Sequence, residues 1–357
     1  MLSFRDPQRS RLRRLWPVLP LIAVLVIVVV AVRAAVPSTS QPVVLPTPSP
    51  DASLPPTAFT YFYYWYDDVT GAHLEPEFLT NALPADPAPS WRNVDWFRKE
   101  LSDMIEAGID VVLPVYWGTT EEWSTAGLPN LAQAWQEMKD QGQDPPAIGL
   151  FLDTPILVGR DLTTPEGKGY FYDMVREFFV RIPRAQWALV DGRPVVWLFI
   201  ATFPRAYDQG TFDFIYERFE QEFGVRPYIV RELTWDSVSQ PVATDATYGW
   251  GAALFGLPQE GPPWWKQTTV ASIGPGYDES QLPNRAGGVR PRDDGRWYTE
   301  NFTKAIASGK RLLVIETWNE IHEASGIGET LEYGRQYIEI TRQYTDLFKA
   351  QAASEDG

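Results

Sequence analysis

The sequence predicts a (β/α)8 TIM barrel, preceded by a single N-terminal transmembrane helix and a Pro/Ser/Thr-rich linker. Three observations carry this. Eight short runs rich in β-branched and aromatic residues alternate with amphipathic stretches of helical period, the pattern of parallel strands joined by crossover helices. The eight units fill about 290 residues, which suits a barrel of about 250 residues with loop insertions. The runs end in polar and aromatic residues, as expected where a barrel builds a site from the loops after its strands. A doubly wound open sheet is the alternative. It usually carries a Gly-rich phosphate turn after its first strand, and "YYWYDDVTGAH" has none.

The basic tail 1–14 holds Arg5, Arg9, Arg11, Arg13 and Arg14 ahead of the apolar run Leu15 to Val32. Eighteen such residues exceed a signal-peptide core and just reach the roughly 17–25 that span a bilayer. Residues 15–34 are therefore expected to be an uncleaved anchor. A cleaved signal peptide is the alternative, with Val32-Arg33-Ala34 as its weak cleavage site. Five arginines before the segment place the N-terminus in the cytoplasm and the rest outside. Residues 35–56, rich in Pro, Ser and Thr, form a spacer without a buryable face. The folded domain is expected at 57–350, followed by a flexible tail 351–357.

Within the domain the strands are read as Phe59–Tyr66, Val111–Trp117, Ile148–Asp153, Val195–Ile200, Tyr228–Leu233, Ala246–Trp250, Thr269–Ile273 and Leu312–Thr317. The helices are read as Val94–Ala107, Leu131–Asp140, Gly169–Val180, Phe212–Phe223, Thr299–Ser308 and Thr330–Phe348. The sixth and seventh helices are the least defined, because residues 251–268 are rich in Gly and Pro.

Composition narrows function by exclusion. Without cysteine there are no disulfides, zinc-thiolate sites, thiol nucleophiles or lipidated cysteine anchor. Two histidines, His73 and His322, argue against a multi-histidine metal site, so no metal and no cofactor is assigned. The net charge is −15 overall, and residues 1–33 hold six Arg against one Asp, so the remainder carries −20. Such a surface repels phosphate backbones, and nucleic acid is not an expected partner.

The strand ends point to sugar. Carboxylates ringed by Trp and Tyr suit a sugar, because aromatic faces stack on the C–H faces of pyranoses while acidic and amide groups bind their hydroxyls. The expected binding residues are Tyr63, Trp65, Tyr66, His73, Trp117, Asp153, Glu232, Tyr248, Trp250, Tyr277, Asp278, Trp318, Asn319 and His322. Any single aromatic is more often packing, and Asp278 alone reads better as a turn cap. Glu320 and Glu323 differ: two carboxylates three apart after an apolar strand are costly to place without a partner or a task. If they start a helical turn they share a face about 5–6 Å apart, and like-charge repulsion keeps one protonated. Cleaving a glycosidic bond needs such an acid beside a second carboxylate.

At these residues a family resemblance enters. "TWNEIHEASGIGE" resembles the "WNEWHEGT.IE" segment of glycoside hydrolase family 99, the endo-α-mannosidases, and its bacterial relatives. "YFYYWYDDVTGAHL" resembles that family's opening strand and loop, with His73 in the histidine's place, and "VVLPVYWG" its second strand. The resemblance implies a retaining (β/α)8 glycosidase that uses the substrate's own 2-hydroxyl and passes through a 1,2-anhydro sugar. It implies that Glu320 is the base on that hydroxyl and Glu323 the acid/base at the leaving oxygen. Ile321 and Ala324 depart from the family's Trp and Gly. The alternatives are a barrel glycosidase of another family and a non-catalytic carbohydrate-binding surface protein.

Overall fold

The computed structural model describes residues 54–257, 268–283, 285 and 287–355. The expected membrane segment and linker lie outside them. Among the described residues no helix is long and apolar enough to cross a membrane.

Eight parallel strands form a nearly closed barrel: β1 (Thr57–Phe62), β2 (Val111–Tyr116), β3 (Ala147–Ile148, continued by Leu150–Leu152), β4 (Arg193–Leu198), β5 (Tyr228–Glu232), β6 (Ala246–Tyr248), β7 (Val270–Ile273) and β8 (Leu312–Ile315). Their order around the sheet is β6-β5-β4-β3-β2-β1-β8-β7. Strand β8 lies on β1 in the register Thr57↔Leu312 to Thr60↔Ile315. The circuit closes between β6 and β7 through Thr269 N to Thr247 O at 3.0 Å and Thr247 N to Thr269 Oγ1 at 2.9 Å.

Strand alternation sorts the first strand's aromatics into two layers. Phe59 and Tyr61 point into the barrel against Trp197, with Tyr61 also on Phe151 and Tyr248. Phe62 points outward against Trp96 and Phe97.

The helices are α1 (Val94–Glu106), α2 (Glu122–Asp140), α3 (Pro165–Arg181), α4 (Gln209–Phe223), α5 (Ala252–Phe255), α6 (Arg296–Ala307) and α7 (Gln336–Glu355). Capping sets several of their starts: Asn93 accepts from Asp95 N, and Asp208 and Thr211 form a reciprocal capping box. Helix α2 begins nine residues earlier than expected and runs through Pro129. Gly127 fits there because a Cβ would lie 2.8 Å from the Tyr64 ring, whose hydroxyl donates to Ser124 O at 2.7 Å. The unit after β5 has a 3-10 turn, Leu233–Asp236, and no α-helix before β6, and among the described residues after β6 the short helix α5 precedes β7. Helix α7 continues to Glu355, past the expected domain end at 350 and into the expected flexible tail.

Candidate active site

The β8 loop is fastened to the end of β1 before it presents any carboxylate. Trp318 N donates to Tyr61 O at 2.8 Å. The Asn319 side-chain amide then takes the place of a strand partner for Tyr63, accepting from its N–H and donating to its carbonyl, both at 2.8 Å. Strand β1 consequently ends at Phe62 rather than at Tyr66. Tyr66 is wholly buried, donates to Asn319 O at 2.6 Å and stacks on His322.

Residues 321–324 form a turn rather than the start of a helix, with Ser325 N on Glu320 O at 3.2 Å. Ala324 sits at φ 45°, in the left-handed region that glycine prefers. Glu320 is buried and its Oε1 accepts from His322 N at 3.0 Å and meets His322 Nδ1 at 2.8 Å. With Glu320 as a carboxylate, which only accepts, the ring proton of the pair lies on Nδ1. Burial acts against charging His322, but the Glu320 carboxylate outweighs it and the imidazole titrates above its ordinary value.

Glu323 faces the opposite partner. Its Oε1 accepts from Arg285 at 3.1 Å, and Arg285 also bonds Glu279 at 3.2 Å, while Tyr277 OH donates to Glu279 at 2.8 Å. Burial pushes the Glu323 carboxyl up to about 7 against the pull of Arg285, with Glu320 and Glu279 adding to the rise. Desolvation is thus the leading cause, ahead of the like-charge repulsion expected from sequence.

Loops after β1, β2 and β3 supply the opposite wall. Trp65 stacks on His73 with ring centroids 4.7 Å apart and meets Tyr63, Trp117, Trp123 and His322 within 6.3 Å. Burial, aided by His322, pushes the His73 imidazole down to about 3, so it is neutral. Trp117 Nε1 donates to Asp153 Oδ2 at 2.6 Å, and Asp153 Oδ1 is buried without a partner. Burial pushes that carboxyl up to about 7. Tyr63 lies in the fields of Glu320, Glu323 and Asp153 together, which ties the two walls into one site.

Five expected binding residues have other partners. Trp318 is fully buried and points outward, its Nε1 donating to Glu100 on α1 at 2.5 Å. Tyr248 is barrel core, its hydroxyl on Leu198 O at 3.1 Å. Trp250 packs on Tyr61, Phe151 and Phe199 at the floor of the barrel mouth. Glu232 is spent on Thr234 N at 2.6 Å and Trp250 N at 3.5 Å. Asp278 caps a turn through Ser280 N at 2.9 Å. Strand-end position alone cannot separate a cleft-facing side chain from one facing the helices or the backbone.

Arg285, Glu279, Trp123 and Glu316 were not anticipated. Arg285 and Glu279 lie in a loop without periodicity. Glu316 did carry a signal, being the first carboxylate after β8; burial pushes it up to about 8 while it accepts from Gly251 N at 3.0 Å and Ala253 N at 3.3 Å. Among the described residues no group of three His, Asp or Glu side chains is arranged to hold a metal ion.

Residues 64–356 match the family model described as "Domain of unknown function (DUF5010)". No curated protein matches the chain. Among solved structures, the GH99 endo-alpha-mannosidase from Bacteroides thetaiotaomicron is 15% identical with a TM-score of 0.62, covering 84% of this chain and 100% of that one. The same enzyme in complex with BIS-TRIS-Propane gives 16% and 0.60 over the same shares. A glycoside hydrolase-like protein gives 16% and 0.63, covering 84% of this chain and 97% of that one. At this identity the likeness is one of fold.

Proposed function

The chain belongs to the DUF5010 family, and from that premise and the geometry above we propose that it is a retaining glycoside hydrolase. We assign it an α-linked, mannan-like polysaccharide or glycan, cleaved internally. The observation that carries this is the pairing on one loop of a carboxylate held by a histidine, Glu320, with a buried carboxyl that titrates near 7, Glu323. The fold shared with the family-99 endo-α-mannosidases supports it.

In the proposed reaction Glu320 takes the proton of the substrate's 2-hydroxyl as that oxygen attacks C1. Glu323 gives its proton to the departing glycosidic oxygen, and a 1,2-anhydro sugar results. Glu323, now a carboxylate, takes a proton from water as the water opens the three-membered ring at C1. Glu320 returns its proton to O2, and both groups regain their starting states. Two displacements at C1 give net retention. The roles fit the electrostatics: a carboxyl that titrates near 7 keeps its proton well above the usual carboxylate range and can act as the acid, while Glu320 is the carboxylate the histidine binds. Trp65, Trp117 and Tyr63 would stack on the sugar, and the free Asp153 Oδ1 would take a hydroxyl.

We also propose that the N-terminal segment keeps the protein on the cell membrane with the barrel outside. Protease added to intact cells should then release the domain; mature protein free in the medium with an N-terminus near Ala35 would favour the signal peptide. For activity, the full-length chain is incubated with α-mannans, α-glucans and native extracellular polysaccharide, and new reducing ends are measured. Reducing ends from a mannan that vanish with Glu323→Gln support the assignment. Binding without cleavage throughout the panel would favour the non-catalytic reading.

A further inference from the structure

We propose that Glu100, a carboxylate on α1, is a positioning residue for Glu320 and acts through Trp318. The proposal rests on the glycosidase reading for its kinetic test but not for its spectroscopic one. Trp318 is the residue from which the 319–320 segment hangs. Its N–H donates to Tyr61 O at 2.8 Å, its carbonyl accepts from Gly328 N at 2.7 Å, and its Nε1 donates to Glu100 Oε2 at 2.5 Å. The first two bonds fix the backbone. The third fixes the rotation of the indole, and the loop's return segment packs directly on it: a Cβ on Gly328 would lie 3.1 Å from Nε1.

The next residues carry that placement to the carboxylate. Asn319 grips Tyr63 by two bonds, Glu320 N donates to Thr317 Oγ1 at 2.9 Å, and Glu320 Oε1 then meets His322. A rotated indole would shift this segment as a unit.

Glu100 is 5% exposed on a helix that packs against the barrel. Lys99 and Asp103 are its charged neighbours, and Lys99 is itself bound to Asp103 at 2.7 Å and to Glu329 on the same β8 loop at 3.0 Å. Burial pushes Glu100 up to about 7, so holding it there is costly. A Phe and a Leu would fill this space without burying a carboxylate, and replacing both partners of a buried hydrogen bond by apolar groups of similar shape can be nearly neutral or stabilising. Stability therefore does not account for the pair, whereas a fixed direction for the indole does.

The test uses the full-length chain labelled with 15N-histidine. The chain has two histidines, His73 and His322, so two sets of ring signals are expected, assigned with His73→Gln. E100M removes the acceptor; E100Q keeps an amide oxygen that still accepts; W318F removes the donor. The proposal expects E100M to move the His322 ring signals and to lower kcat by about ten- to a hundredfold, as small misplacements of catalytic groups do, with KM little changed. E100Q should restore both. In the W318F background E100M should add no further loss of kcat and no further shift. Unmoved His322 signals in E100M, or full additivity of E100M with W318F, would overturn it. A wild type without activity on any glycan would sink the glycosidase reading, and the His322 signals would still decide the positioning role. Should E100M not fold, W318F gives the same reading from the donor side: a moved His322 supports the proposal and an unmoved one overturns it.

Discussion

Two pairs of buried carboxylates sit at the same end of this barrel, and they have opposite uses. Glu232 and Glu316 lie over the barrel interior, and Glu316 is pushed up to about 8, further than Glu323. Their oxygens are spent on backbone N–H groups of Thr234, Trp250, Gly251 and Ala253. Glu320 and Glu323 are instead paired with ionisable side chains: His322, whose ring can exchange a proton, and Arg285, which stays charged. A displaced titration is therefore no mark of catalysis on its own. What differs is the added ionisable partner: Glu320 holds His322 through both its backbone N–H and its ring, and Glu323 holds Arg285.

Glu320→Gln and Glu323→Gln should each lower turnover of a polysaccharide by about 10²–10⁴-fold, the usual worth of a general base or acid, with the melting temperature little changed. Glu316→Gln, whose amide oxygen still accepts from Gly251 and Ala253, should keep most activity. A kinetic scan of the three variants checks both statements.

Stability should show the reverse. Glu316→Ala leaves two backbone N–H groups unpaired and should cost about 1–3 kcal/mol. Glu316 binds its proton more tightly folded than unfolded, so its contribution is fullest below about 4.5 and is lost as pH rises through about 8. Thermal melts at pH 5 and pH 8.5 should therefore show Glu316→Gln gaining on the wild type as pH rises.

A subtler effect concerns Arg285. Its charge favours the Glu323 carboxylate, so the neutral Arg285→Gln should raise the Glu323 titration and move the alkaline limb of the rate profile, expected near 7 for the wild type, to higher pH. A limb that moves to lower pH would break the assignment. The smallest effect should be Ala324→Gly. Relief of the left-handed strain and the added freedom of the unfolded chain nearly cancel, leaving less than about 1 kcal/mol.

The strands were legible because their apolar runs are long and bounded, and each was read within a few residues. Their C-terminal ends were read too long wherever aromatics continued beyond the sheet, as at Tyr63–Tyr66, where a side-chain amide replaces the neighbouring strand. Of the site, the β8 carboxylates and the Trp65, His73 and Trp117 wall were visible as motif and strand-end chemistry. The direction of Trp318 was not, because one residue of alternation separates the cleft from the helix layer. Arg285 was invisible because only tertiary folding brings the β7 loop onto Glu323. Gly127 and Pro129 hid the start of α2, since breakers are tolerated where a ring packs on the helix.

The division of labour between Glu323 and Glu316 is tested by comparing leaving groups. Glu323 alone is assigned the proton that the departing oxygen needs, so a glycoside with a dinitrophenyl leaving group needs little of it and a natural glycan needs all of it. Rates of wild type, Glu323→Gln and Glu316→Gln are measured on both. Glu323→Gln is expected to retain most of its first-step rate on the aryl glycoside and to lose the glycan almost entirely, while Glu316→Gln follows the wild type on both. Equal losses on the two substrates for Glu323→Gln, or the selective loss appearing in Glu316→Gln instead, would contradict it.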